Sequence, residues 1–208
     1  SRAFQVLVKI GDMRIMKIIA DTTNKIAEGE VLQLITKNNP SASEANYMQV
    51  IESKTAILFQ AAAQCGALLA NADEASEKGL RNFGKSIGMA FQLIDDVLDY
   101  AGDATDLGKN IGDDLAEGKP TLPLIYAIEK SDKQQQKLIQ RALKTEQLNP
   151  EMLKDVIEIV RHSGGLEYTQ GLAKEQSKAA LNCLQALPDS EYRQAMEAMV
   201  NFSLSRKS

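Results

Sequence analysis

Apolar residues recur at three- and four-residue steps along nearly the whole chain, and no stretch alternates with a period of two between hairpin turns. The pattern predicts helices and no strand. It opens on a helix tail ending at Ile10, broken at Gly11, with Asp12 as N-cap for a helix from Met13 to about Thr36. Ser41 with Glu44, after Pro40, has the spacing of a capping box and starts a helix that runs to about Ala70. Asp73 caps the next helix, which carries Phe91 to Tyr100. A loop rich in Gly and Asp follows from Gly102 to about Lys119, and Pro120 and Pro123 bracket the start of a helix through Lys130. Asn149 before Pro150 starts another, closed by Gly164 and Gly165. Two more run from Leu166 to Leu187 and from Ser190 to about Ser205. No linker, low-complexity tract or internal repeat divides the chain, so the expectation is a single all-α domain over residues 1–208.

Composition narrows the function without naming it. Apolar residues make up 44% and charged residues 25%, as in ordinary globular proteins. No apolar run has the length of a membrane span. The net charge of −4 argues against non-specific nucleic-acid binding. Cys65 and Cys183 sit in Ala/Leu-rich helical text with no partner at metal-ligand spacing, so both are expected reduced and packed, which points to the cytoplasm. The single His162 excludes a multi-histidine metal site and, just before two glycines, suits a helix C-terminus.

The acids are unevenly placed. Eight lie between residues 95 and 119 against only Lys109 and Lys119, while the rest of the chain carries slightly more bases than acids. Lys85, Gly88, Gln92, Asp95, Asp96, Asp99 and Asp103 fall at helical steps and form one narrow stripe, flanked by Ile87, Phe91, Leu93, Ile94, Val97 and Leu98. A stripe so enclosed should face an internal cavity. Carboxylates gathered there repel one another and are costly to desolvate, and a hard divalent cation such as Mg²⁺ relieves both penalties. The alternative is a solvated acidic face; a calcium loop of the EF-hand type is excluded by spacing.

The run from Phe91 through Asp95-Asp96-Val97-Leu98-Asp99 to Tyr100 resembles the second aspartate-rich motif of trans-isoprenyl (polyprenyl) diphosphate synthases. Leu107 to Leu115 and Glu117 to Pro123 are similar to the family text after that motif, and Ala27 to Glu30 with Gln33, and Ser53-Lys54-Thr55, are two earlier landmarks in the expected order. Five ordered blocks are far more specific than one Asp-Asp-x-x-Asp, and the likeness is greatest to bacterial long-chain, octaprenyl-type members.

The resemblance implies an isoprenoid-synthase helical bundle with a central cavity, usually a homodimer. It also implies a Mg²⁺-dependent head-to-tail condensation: an allylic diphosphate ionises, isopentenyl diphosphate attacks the cation, and a proton leaves. The product would supply a quinone side chain. Carried over residue by residue, Asp95, Asp96 and Asp99 bind Mg²⁺ on the leaving diphosphate. Lys54, Lys109 and Lys119 contact the allylic diphosphate, and Thr55 and Gln92 place uncharged dipoles near the developing cation. Asp114 is either an outer carboxylate or a loop cap; Glu30 and Gln33 either line the pocket or bond between helices. The small-residue run Ala61 to Ala63 with Cys65, Gly66 and Ala67 suits close helix packing.

The family's first aspartate-rich motif has no counterpart in residues 1–208, so the chain is expected to be the C-terminal two-thirds of a longer protein, with the isopentenyl diphosphate site elsewhere. Three rival readings remain. A non-catalytic subunit of a heteromeric prenyl synthase would keep the fold, but the intact Asp and Lys set weighs against it. A terpene cyclase would need a more aromatic pocket than five Phe, five Tyr and no Trp provide. A plain helical interaction module would not bind pyrophosphate with Mg²⁺. Residues 1–208 alone are expected not to elongate a prenyl chain, and robust turnover of isopentenyl diphosphate by that purified segment would refute this.

Overall fold

A computed structural model describes residues 2–101, 111–145 and 148–206. Its elements, in order, are α1 (Arg2–Ile10), α2 (Met13–Thr36), α3 (Glu44–Ile51), a π-helical turn (Glu52–Ala56), α4 (Ile57–Leu69) and α5 (Glu74–Ala101). After these come α6 (Asp113–Ala116), α7 (Leu122–Lys130), α8 (Lys133–Lys144), α9 (Pro150–His162), α10 (Gly165–Leu184) and α11 (Glu191–Ser205). The described residues contain no strand, and the fold is all-α.

Capping chemistry sets most boundaries. Asp12, Asp73 and Asn149 each accept a hydrogen bond from a backbone N–H two or three residues on, at 2.8, 2.7 and 2.7 Å, as their sequence positions predict. The cap of α3 differs from expectation: Ser43, not Ser41, takes the N–H of Asn46, and Glu44 becomes the first helical residue. Helix α8 is absent from the sequence reading, although Asp132 and Gln135 form a reciprocal capping box at its start. Its first turn is Lys-Gln-Gln-Gln, with no apolar periodicity. His162 ends α9 with Nδ1 2.7 Å from the carbonyl of Glu158, and Gly164 turns the chain at φ +83°.

Helix α5 is the axis. It is buried on most of its circumference and packs against α4, the π turn, α10 and α11. It contributes to three apolar clusters in succession: Phe83 and Ile87 with Ala180, Leu184 and Val200; Met89, Leu93 and Ile94 with Tyr47, Ile51 and Leu122; and Tyr100 with Leu115, Leu124, Ile139 and Val160. Arg161 caps the far end by donating Nε–H to the carbonyl of Tyr100 at 2.8 Å.

The α4 and π-turn backbone lies directly on α5. A Cβ at Gly84 would sit 2.4 Å from the Phe59 carbonyl oxygen, and one at Gly88 would sit 2.6 Å from Ala56 Cα. In the small-residue run, Ala61 and Ala67 are buried in this packing, but Gly66 faces open space and gives nothing to it. Cys65 and Cys183 are half-buried and unbridged. Gly88→Ala therefore forces backbone apart at the helix crossing, and is expected to cost roughly 1–3 kcal/mol. Urea unfolding at matched protein concentration measures it; an unchanged midpoint would show that the crossing can relax.

Candidate active site

Between α3 and α4 the helix widens into the π turn Glu52–Ala56, an insertion of the kind that re-aims side chains within a helix. It is held from two sides by backbone approach, since a Cβ at Gly29 of α2 would lie 2.9 Å from the Lys54 nitrogen, opposite Gly88 of α5. The turn presents Lys54 and Thr55 to a cavity of about 140 Å³. Gln33, Tyr47, Gln92, Asp96, Asp114 and Lys119 line it as well.

Much of the polar stripe of α5 runs along this turn. Lys85 Nζ lies 2.5 Å from Glu52 Oε1, Gly88 meets Ala56, and Gln92 Oε1 accepts a 3.0 Å hydrogen bond from the Thr55 hydroxyl. One turn on, Gln92 Nε2 donates to Asp96 Oδ1 at 2.8 Å, and the Tyr47 hydroxyl donates to Asp96 Oδ2 at 2.6 Å. The expectation that the stripe faces an internal cavity holds for Gln92 and Asp96.

The three aspartates of the motif sit in different surroundings. Asp95 is 34% exposed and pairs with Arg206, whose Nη1 is 2.9 Å from Oδ1 and whose guanidinium also lies over the Phe91 ring. Asp96 is only 2% exposed. Burial raises its pKa to about 7, with the charges of Asp114 and Asp95 adding to the shift and the Tyr47 and Gln92 bonds opposing it. Asp99 accepts the backbone N–H of Asp114 at 3.3 Å; burial and the Asp114 charge raise it, too, to about 7.

The lysines are pre-positioned. Lys54 Nζ donates to Gln33 Oε1 at 2.7 Å and pairs with Glu30 at 3.0 Å, so both residues act between helices and Gln33 also lines the cavity. Lys119 lies 2.8 Å from Asp114 and 2.7 Å from Glu117. Burial opposes its charge, but the two carboxylates outweigh burial and raise its pKa. Lys54 and Lys119 thus reach one cavity from different segments of the chain. Lys109 and Asp103 lie outside the described residues.

Among the described residues no three metal-ligating side chains converge. Asp95 and Asp99, one helical turn apart, offer hard oxygen donors on one face, which suits a Mg²⁺ that keeps waters and bridges to phosphate. Sequence reasoning missed Tyr47 and Arg206. Tyr47 lies two helical turns before Lys54, a spacing that hints at a shared face; nothing local marks Arg206.

The polyprenyl synthetase profile matches residues 1–160. The chain belongs to the polyprenyl synthetase family. It is 46% identical over 206 residues to an octaprenyl diphosphate synthase of Haemophilus influenzae, covering 99% of this chain and 62% of that protein. An octaprenyl diphosphate synthase of Escherichia coli is 45% identical over 207 residues, covering 99% of this chain and 64% of the relative. A crystal structure of a Caulobacter crescentus polyprenyl synthase complexed with calcium and isoprenyl diphosphate superposes with a TM-score of 0.94 at 39% identity, over 100% of this chain and 63% of that one. This polyprenyl synthetase chain thus spans under two-thirds of the length of these relatives.

The carboxylates give the polyprenyl synthetase chain a pH signature. Asp96 and Asp99 shift from 3.8 to about 7 on folding, so the folded chain binds protons more tightly than the unfolded one. Stability in metal-free buffer must then fall as pH rises from about 4 to 7 and level off above that. The thermal midpoint should drop between pH 5 and pH 8, and Asp96→Asn should flatten the slope. A midpoint that rises with pH, or a slope unaltered in the variant, contradicts the burial argument.

Proposed function

We propose that the protein containing this chain is a polyprenyl diphosphate synthase of octaprenyl type, supplying the side chain of a quinone. It joins isopentenyl diphosphate head to tail onto an allylic diphosphate. The carrying observation is the single cavity on which Lys54, Thr55, Gln92 and Lys119 converge beside the α5 carboxylates. The close relatives named as octaprenyl diphosphate synthases support the reaction and the product class.

Asp95 and Asp99 hold Mg²⁺ on the departing diphosphate, with Asp96 behind them; the ion supplies charge neutralisation for the leaving group. Lys54 and Lys119 bind the allylic diphosphate in the cavity that both line, Lys109 joining them. Each described lysine has two protein acceptors, leaving one of its three N–H donors for a phosphate oxygen. The Thr55 and Gln92 oxygens face the carbon that becomes cationic, and neither side chain is nucleophilic enough to trap it readily. Retention of this full set speaks against a non-catalytic subunit.

The protein acts as a homodimer in the cytoplasm. Exposed apolar residues on the first two helices, among them Phe4, Val8, Leu34 and Ile35, support coverage by further polypeptide. The unbridged cysteines suit that compartment, and no helix among the described residues is long and apolar enough to cross a membrane.

Incorporation of labelled isopentenyl diphosphate into chain-extended product tests the reading. Asp95→Ala is expected to reduce turnover at least ~100-fold, in keeping with loss of one preorganised charge-stabilising group. It should also weaken Mg²⁺-dependent pyrophosphate binding by calorimetry. No Mg²⁺-dependent binding by the unmutated protein would end the proposal.

A further inference from the structure

Tyr47 has no part in the reaction as described, yet its hydroxyl is buried in the cavity wall against a metal-motif carboxylate. Four side chains from three segments form one hydrogen-bonded chain: Tyr47 of α3, Asp96 and Gln92 of α5, and Thr55 of the π turn. Its polarity follows from elementary donor and acceptor rules. The Gln92 NH₂ donates to Asp96 Oδ1 and the Tyr47 hydroxyl to Asp96 Oδ2, so the amide turns its donor face to the carboxyl group. The Gln92 carbonyl oxygen is thereby turned to Thr55 and takes the hydroxyl proton. The Thr55 oxygen is left to meet the cavity with lone pairs. Each Asp96 oxygen already accepts one protein hydrogen bond, at 2.6 and 2.8 Å, so Asp96 serves as the anchor of this chain.

Resting on the prenyl transfer reading above, we propose that Tyr47 is a positioning residue for it. Tyr47 pins the buried Asp96, Asp96 orients the Gln92 amide, and that amide commits the Thr55 proton, so oxygen lone pairs and not N–H or O–H dipoles face the developing allylic cation. Without the phenol, Asp96 Oδ2 is a buried acceptor with one partner removed. The carboxyl group is then free to rotate. The amide loses its reason to hold one orientation, and its NH₂ can turn to the cation. This is an effect on the ionisation transition state, not on the affinity for either diphosphate.

The test uses the protein that contains this chain. Tyr47→Phe keeps the ring and removes the hydroxyl. It should lower kcat about 10- to 100-fold, as loss of an orienting partner does elsewhere. The KM of both diphosphates, the half-saturating Mg²⁺ concentration and Mg²⁺-dependent pyrophosphate binding by calorimetry should stay within about twofold. In a double-mutant cycle, Tyr47→Phe should have no further effect on kcat once Gln92→Leu has removed the amide. Additive losses, an unchanged kcat, or weakened Mg²⁺ and pyrophosphate binding would each overturn the proposal, the last because Asp96 would then be a metal ligand. Should Tyr47→Phe not fold, Asp96→Asn carries the same cycle with the same outcomes. Absence of condensation by the unmutated protein would instead sink the underlying reading and leave the two failures distinguishable.

Discussion

Backbone-on-backbone contact of α5 with the π turn and the first turn of α4 governs the site. Gly84 and Gly88 let the Phe59–Gln60 and Ala56 backbone approach closer than any Cβ would allow. On the opposite side Gly29 admits the Ser53–Lys54 backbone in the same way. The π turn is thus held between two helices at distances that leave little freedom of register. Lys54 meets Gln33 and Glu30 on one flank, and Thr55 meets Gln92 on the other. Catalytic geometry built on crossing helices inherits their rigidity, which a loop would not provide.

That rigidity is needed because the site works against its own stability. Burial holds Asp96 and Asp99 near neutrality, and the neighbouring Asp114 adds repulsion to both. Lys119 offsets Asp114 and Glu117, while the Asp114 backbone N–H reaches Asp99. The three apolar clusters threaded by α5 supply the burial that tolerates this arrangement. One of those clusters lines the cavity, through Tyr47 and Ile51.

Local rules were legible and cross-chain geometry was not. Asp12, Asp73 and Asn149 could be named as caps because capping is decided within three residues. Gln92 and Asp96 could be read as enclosed because their apolar flanks are written beside them, whereas Lys85 and Asp95 of the same stripe keep substantial exposure. Ser41 misled because Ser43 competes for the same role two residues on, and only the observed backbone decides between them. Helix α8 escaped because its polar first turn hides the period, although the Asp132–Gln135 box was in plain text. The π turn has no sequence signature at all, as its extra residue is imposed by what lies on either side. Tyr47 and Asp96 are 49 residues apart, and only the fold joins them.

The same geometry divides labour within the aspartate motif, which the motif text treats as three equivalent acids. Each carboxylate is neutralised by a different means, and the means differ in how readily a metal ion can replace them. Asp95 is paired with Arg206 through an approach of 2.9 Å in which Nη1 makes no well-directed hydrogen bond. Exchanging that guanidinium for a divalent ion moves one side chain at the end of the last helix. Among the described residues Asp99 accepts only backbone N–H bonds, from Asp113 and from Asp114, the latter long at 3.3 Å, and is half-buried. Drawing Asp96 onto a metal ion would strain a 2.6 Å bond to a buried phenol and a 2.8 Å bond to Gln92. The cost of exchange therefore rises from Asp95 and Asp99 to Asp96. On that ordering, and in the reaction proposed above, the outer two carboxylates would serve the diphosphate and the inner one the residues that face the carbon.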